Sequence, residues 1–160
     1  MIGNKDEVIA WLNEQDETWT FEINRKFAGK SLKQNAYFHV MVDTYRRALG
    51  VSFAHCKNTM VTRYGQIEYI GDEPVILKTN IPIEQMQEQE LLHCEAVKIE
   101  VQNDKDIIFY RKYRDVRTYN SQEMNELIEG TREELRQAGL EYRTPQEIAQ
   151  DHMLEDQNVR

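Results

Sequence analysis

The residues best suited to chemistry form one run, Phe109-Tyr110-Arg111-Lys112-Tyr113-Arg114-Asp115-Val116-Arg117-Thr118-Tyr119, in which bases and aromatics interleave. A sequence-neutral site for a single nucleic-acid strand needs both types together, cations for phosphates and flat rings for stacked bases. On an extended strand successive side chains point to opposite faces, so Arg111, Tyr113, Asp115 and Arg117 are expected to share one. The pattern also has a plainer reading. Its tyrosines can pack a core while its arginines pair with acids from the segment before it. The sequence leaves both open.

A second cluster opens a helix. In Lys30-Ser31-Leu32-Lys33-Gln34-Asn35-Ala36-Tyr37-Phe38 the spacing of Ser31 and Gln34 is that of a capping box, which accounts for both without any function. Lys30, Lys33 and Asn35 are left over at a helix N-terminus, where free amides and the dipole favour an anion such as phosphate. Arg46 and Arg47 lie at the other end of that helix, about 20 Å away, so they extend the face without sharing the pocket.

Other constellations carry less. His55-Cys56 and His93-Cys94 are matching dipeptides, yet neighbours on a helix point about 100° apart and rarely reach one ion together. A small buried apolar role suits the cysteines better. Asp72 with Glu73, or Asp104 with Asp106, could hold the Mg²⁺ of a nuclease, but both pairs fall in expected hairpin turns, where acids serve the turn itself. His39 and Asp43 are spaced for a general-base pair or for a solvated pair on a helix face. There is no phosphate-binding glycine loop, no dinucleotide-type glycine pattern and no Gly-x-Ser-x-Gly. No catalytic residue, metal ligand or cofactor is therefore expected.

The elements that must position these groups follow from periodicity. Asn4 with Glu7 reads as a capping box before a short helix, and residues 18–27 alternate as a strand with one buried face, followed by a turn at 28–30. Phe38, Val42, Tyr45 and Leu49 mark the clearest helix, which Gly50 ends. Ser52 caps a second helix, closed by Gly65. Residues 66–70 and 74–79 read as a hairpin around Gly71-Asp72, 83–92 as a short helix, and 96–101 with 107–113 as a hairpin across Asn103-Asp104. Asn120 and Glu123 form another capping box before a helix with the stripe Met124, Leu127, Ile128, Leu135 and Ala138, and Thr144-Pro145 signals a last start. The expected fold is α+β in the order αβααββ(α)ββαα, helices packed on a small, mostly antiparallel sheet. Residues 1–154 are expected to form one domain and 155–160 a frayed tail.

Composition sets the limits. The chain has 160 residues, 40% of them apolar, with 20 basic against 28 acidic side chains and a net charge of −8. That balance argues against a protein that coats duplex DNA along its whole surface. The charge is uneven: residues 31–65 carry five bases against Asp43 alone, whereas 66–110 carry ten acids against three lysines. A basic face on an acidic protein is possible, because local potential decides docking. Two cysteines make no disulfide framework and fit a reducing compartment. No run approaches membrane-spanning length and residues 1–7 lack the order of a signal peptide, so a cytoplasmic protein without membrane contact is expected.

At residues 30–38 the chain resembles the Arg/Lys-Ser-Leu-x-Gln-Asn opening of phage recombination proteins of the NinB/Orf family. The segment Tyr119-Asn120-Ser121-Gln122-Glu123-Met124-Asn125-Glu126-Leu127-Ile128-Glu129-Gly130-Thr131 is similar to the family's Glu-Met and Leu-Ile helix. Ala138-Gly139-Leu140-Glu141 and Thr144-Pro145-Gln146-Glu147 resemble the endings of phage and prophage proteins of this kind. Ser31, Leu32, Gln34, Asn35, Met124, Leu127 and Ile128 fall on motif positions. The resemblance implies a non-enzymatic recombination mediator in the bacterial cytoplasm. Such a protein is a homodimer that binds single-stranded DNA and helps a recombinase load in competition with single-strand-binding protein.

The leading expectation is therefore single-stranded DNA held by two basic surfaces. One comprises Lys30, Lys33, Asn35, Arg46 and Arg47, the other Arg111, Lys112, Tyr113, Arg114 and Arg117. The alternatives are an acidic adaptor that docks a basic protein through residues 66–110 and touches no nucleic acid, and a Mg²⁺-dependent nuclease for branched DNA.

Overall fold

A computed structural model of the chain describes residues 5–14 and 32–142. Several expectations lie outside the described residues: the Asn4 cap, the strand 18–27 and its turn, Lys30 and the Ser31 cap, the Thr144 helix start and the tail from 155.

Helix α1 covers Lys5–Asn13 and α2 covers Leu32–Leu49. The expected face of α2 turns inward, with Tyr37, Phe38, Met41 and Val42 buried, whereas Leu49 at its end is 54% exposed. Gly50 stops the helix in the left-handed region at φ +69°, where a side chain would be strained. Helix α3, Phe53–Tyr64, starts at Ser52, whose hydroxyl accepts from the His55 amide at 3.0 Å. Helix α5 spans Ser121–Gln137 and opens with the expected reciprocal capping box of Asn120 and Glu123.

Three side-chain links set the directions of these helices. Gln34 at the start of α2 donates to the Ser121 carbonyl at 3.1 Å and to Asn125 at 2.6 Å, at the start of α5. Tyr45, near the end of α2, donates to Glu134 near the end of α5. The two helices therefore run parallel. The end of helix α3 meets the middle of α5, where Tyr64 lies on Gly130, and Gln66 just beyond the helix donates to Glu126.

Two small antiparallel sheets follow. The turn at Gly71-Asp72 joins β1, Tyr69–Ile70, to β2, Glu73–Pro74. The expected hairpin was longer. Its second arm instead leaves as β3, Ile76–Thr79, and pairs with β5, Lys105–Tyr113, which also pairs with β4, His93–Gln102. The change of partner lets Leu77 pack beside Tyr110. Helix α4 spans only Ile83–Gln87, because the chain must extend again to enter β4 at His93. Asn103 and Asp104 turn β4 into β5 with φ of 50° and 58°, the two left-handed residues of a type I′ hairpin.

The mixed α+β fold has two hydrophobic clusters. The larger joins α2, α3 and α5 with Tyr113, Val116 and Tyr119; the smaller joins Met86 of α4 to Cys94, Ile108 and Tyr110 on one face of the sheet. Among the described residues no helix is long and apolar enough to cross a membrane.

Candidate functional site

The interleaved run divides between core and surface. Tyr110 is buried and donates to the Ile81 carbonyl at 2.8 Å. Tyr113 is 6% exposed and donates to Glu95 at 3.0 Å. Burial, reinforced by Glu95, pushes the Tyr113 hydroxyl up to about 12. Tyr119 is buried as well, its oxygen accepting from the Gln66 amide at 2.7 Å. Tyr113, expected to stack a base, therefore presents no ring face to one. It is taken up by the apolar cluster beneath the helices.

The shared face expected for Arg111, Tyr113, Asp115 and Arg117 ends at Tyr113. Beyond it Asp115 caps a 3₁₀ turn, Val116–Thr118, accepting from the Arg117 amide at 2.8 Å. Val116 turns inward, and that burial breaks the strand.

Each described cation of the run meets a carboxylate. Arg111 reaches Glu95 at 3.1 Å and Lys112 reaches Glu68 at 2.5 Å. Arg114 grips Glu123 with both terminal nitrogens, at 2.7 and 3.2 Å, donates to the Thr118 carbonyl and lies 5.5 Å from the Tyr119 ring. Partial burial disfavours the Glu123 carboxylate, yet Arg114 and the Asn120 amide together hold its pKa below the usual value. Arg117 pairs with Asp115 at 2.8 Å, and that bond holds the carboxyl low. The acidic middle segment thus supplies two of the four partners, as the plainer reading of the run requires.

On α2, Arg46 and Arg47 both pair with Asp43 at 2.7 Å. Asp43 is thereby committed to two cations, while the His39 ring stands edge-on to Phe53 at 5.5 Å. Lys33 is exposed and Asn35 partly buried. The parallel run of α2 and α5 puts Lys33 and Asn35 at the same end as Arg114, with Arg46 and Arg47 at the other. The two expected surfaces are thereby divided: one half of the first meets part of the second.

That shared end holds a residue that sequence reasoning missed. A shallow concavity beside the first turns of α5 is lined by Gly65, Gln66, Ile67, Tyr69 and Arg114. Tyr69 is 55% exposed, so it brings an open ring near Arg114. Its only local signal was a hairpin position, indistinguishable from that of any strand tyrosine. A second unforeseen cluster centres on Glu134, which accepts from Arg63 at 2.7 Å, Tyr64 at 2.6 Å and Tyr45 at 3.3 Å. It clasps α2, α3 and α5 together.

The other candidates are placed as follows. Asp72, Glu73, Asp104 and Asp106 are exposed and stay in two separate hairpins. Cys56 and Cys94 are buried free thiols, and burial pushes each up to about 11. Among the described residues no three His, Cys, Asp or Glu side chains converge to hold a metal ion.

The fold and this site define a class, an α+β chain with a mixed acidic and basic surface and an aromatic and cationic concavity beside a pair of parallel helices. Comparison with known proteins takes the assignment no further. No family model matches the chain, and no curated protein and no solved structure matches it.

Proposed function

We propose that the chain is a DNA-recombination accessory protein of phage type that holds single-stranded DNA without cleaving it, aiding recombinase loading against single-strand-binding protein. The observation that carries this reading is the concavity in which exposed Tyr69 lies near Arg114, at the end of the molecule that also bears Lys33 and Asn35. An open ring takes a base by stacking and the flanking cations take its phosphates. The resemblance of residues 30–38 and 119–131 to phage recombination proteins supplies the biological setting.

The test is fluorescence anisotropy of a labelled single-stranded oligonucleotide beside a duplex control, in EDTA, at two salt concentrations. Salt-sensitive binding that prefers the single strand is expected. Tyr69→Ala should weaken it about tenfold, from the loss of one stacked base. Absence of binding at low salt overturns the reading.

One observation favours a second reading, the acidic adaptor. Glu84, Glu88 and Glu90 are exposed around α4, and Leu91 beside them is 64% exposed. An exposed apolar side chain in an acidic stretch of chain suits a basic protein partner. If the oligonucleotide does not bind, charge reversal at these three glutamates becomes the next experiment, with loss of partner capture expected.

A further inference from the structure

Among the described residues, strand β4 is an edge of the sheet β3-β5-β4. A bulge between Ala96 and Lys98 makes Val97, 43% exposed, an extra residue, and beyond it the outer half is exposed and apolar at alternate positions, with Ile99 55% and Val101 71% exposed. The two-residue loop makes Gln102 and Lys105 a hydrogen-bonded pair, so Lys98, Glu100 and Gln102 direct their backbone groups to β5. Ile99 and Val101 therefore point their N–H and C=O outward. The alternation on β5 agrees, since the amide and carbonyl of Lys112 go to Val75 and Glu68, away from β4. Native sheets seldom leave such an edge uncovered.

We propose that β4 pairs antiparallel with β4 of a second copy about a twofold axis at Ile99, joining two three-stranded sheets into one of six strands. The charges on β4 select both partner and register. A twofold axis normal to the sheet keeps every side chain on its own face, so the axis must pass through a residue of the strand. Centred on Lys98, it sets Lys98 against the partner's Lys98. Centred on Glu100, it sets Glu100 against the partner's Glu100. Like charges directly opposed are unfavourable. Centred on Ile99, it sets Lys98 against the partner's Glu100 on both sides of the axis and Ile99 against the partner's Ile99, while the bulge at Val97 ends the regular pairing short of the partner's Val101. Lys98 and Glu100 already form an ion pair along one strand, and the dimer exchanges that contact for two across the interface. The outward amide and carbonyl of Ile99 are then satisfied by those of the partner's Ile99, and the two isoleucine side chains stand side by side. The interface uses none of the residues of the nucleic-acid reading, so the two stand or fall separately.

Sedimentation velocity of the full chain from low to high micromolar concentration tests this. The wild-type chain is expected to dimerise. Lys98→Glu and Glu100→Lys should each weaken the dimer about tenfold or more, and the double exchange K98E/E100K should restore it by re-forming both cross-pairs with signs reversed. Ile99→Pro removes an outward N–H, a change an edge strand tolerates, and should yield a monomer with an unchanged circular dichroism spectrum. A chain that stays monomeric throughout overturns the proposal. A dimer indifferent to Ile99→Pro, or to either single reversal, overturns it too. Lys98 is exposed and Glu100 half-buried, and both side chains reach the surface, so the test survives if the proline variant does not fold.

Discussion

At His93, burial decides protonation. The side chain is 1% exposed, and its Nδ1 meets the Asn58 side-chain oxygen. The Asn58 amide donates to the carbonyls of Gln87 at 2.7 Å and Gln89 at 2.8 Å, which turns its oxygen to the ring and places the ring proton on Nδ1. Nε2 is buried without a hydrogen-bond partner. Burial first, and nearby Lys57 second, push the pKa down from 6.5 to about 4. As pH falls through 6.5 the unfolded chain takes up a proton that the folded one refuses, so stability declines from there down to about pH 4. The full loss is about 3 kcal/mol. Urea unfolding midpoints at pH 7.5 and pH 5 should differ in that sense for the wild type and differ less for His93→Gln. Equal pH dependence in the two would mean that His93 is already charged in the folded chain.

The same contrast between local and distant information governs the candidate site. Sequence spacing showed that bases and tyrosines alternate over 109–119. It did not show the fate of either type, because the partners are remote in sequence: Glu68 for Lys112, Glu95 for Arg111, and Glu123 for Arg114. Tyr69 went unnoticed for the same reason. Its significance lies in its nearness to Arg114, created by the hairpin's position against β5.

On the scale of elements, Gly130 shows how closely the helices meet. An added Cβ there would stand 2.2 Å from Cγ of Tyr64, inside the ring's own volume. Alanine normally stabilises a helix interior by about 1 kcal/mol over glycine. Here the overlap costs about 1–3 kcal/mol, so Gly130→Ala should lower the melting temperature instead. An unchanged or higher value would show that Tyr64 moves aside freely. Helices α2, α3 and α5 were legible because a buried stripe and a cap coincide in each, as at Ser52 and Asn120. The sheet was legible only where a turn is local, at Gly71 and at Asn103-Asp104. Nothing near Ile76 announces that its strand leaves the first hairpin for β5, since that choice rests on Tyr110, far along the chain.

For the whole molecule, charge sets the expected salt response. The net of −8 and the many internal ion pairs leave few cations for an outside polyanion. If Lys33, Arg114 and Arg117 each neutralise one phosphate, the log–log slope of affinity against salt should be about −2, at −0.7 per contact on a single strand. Anisotropy titrations over a salt series measure it. A slope near zero removes phosphate contact, and a slope several times steeper requires cations beyond these three.

Strand β5 has one further consequence. Ile108 and Tyr110 belong to the smaller hydrophobic cluster, while Tyr113, a few residues on, belongs to the larger. The sheet cannot shed β5 without drawing Tyr113 out from under the helices, and the helices cannot part there without loosening the end of the sheet's central strand. Two clusters that might have melted independently are thereby coupled into one cooperative transition. Damage to either is felt as a loss of stability in both.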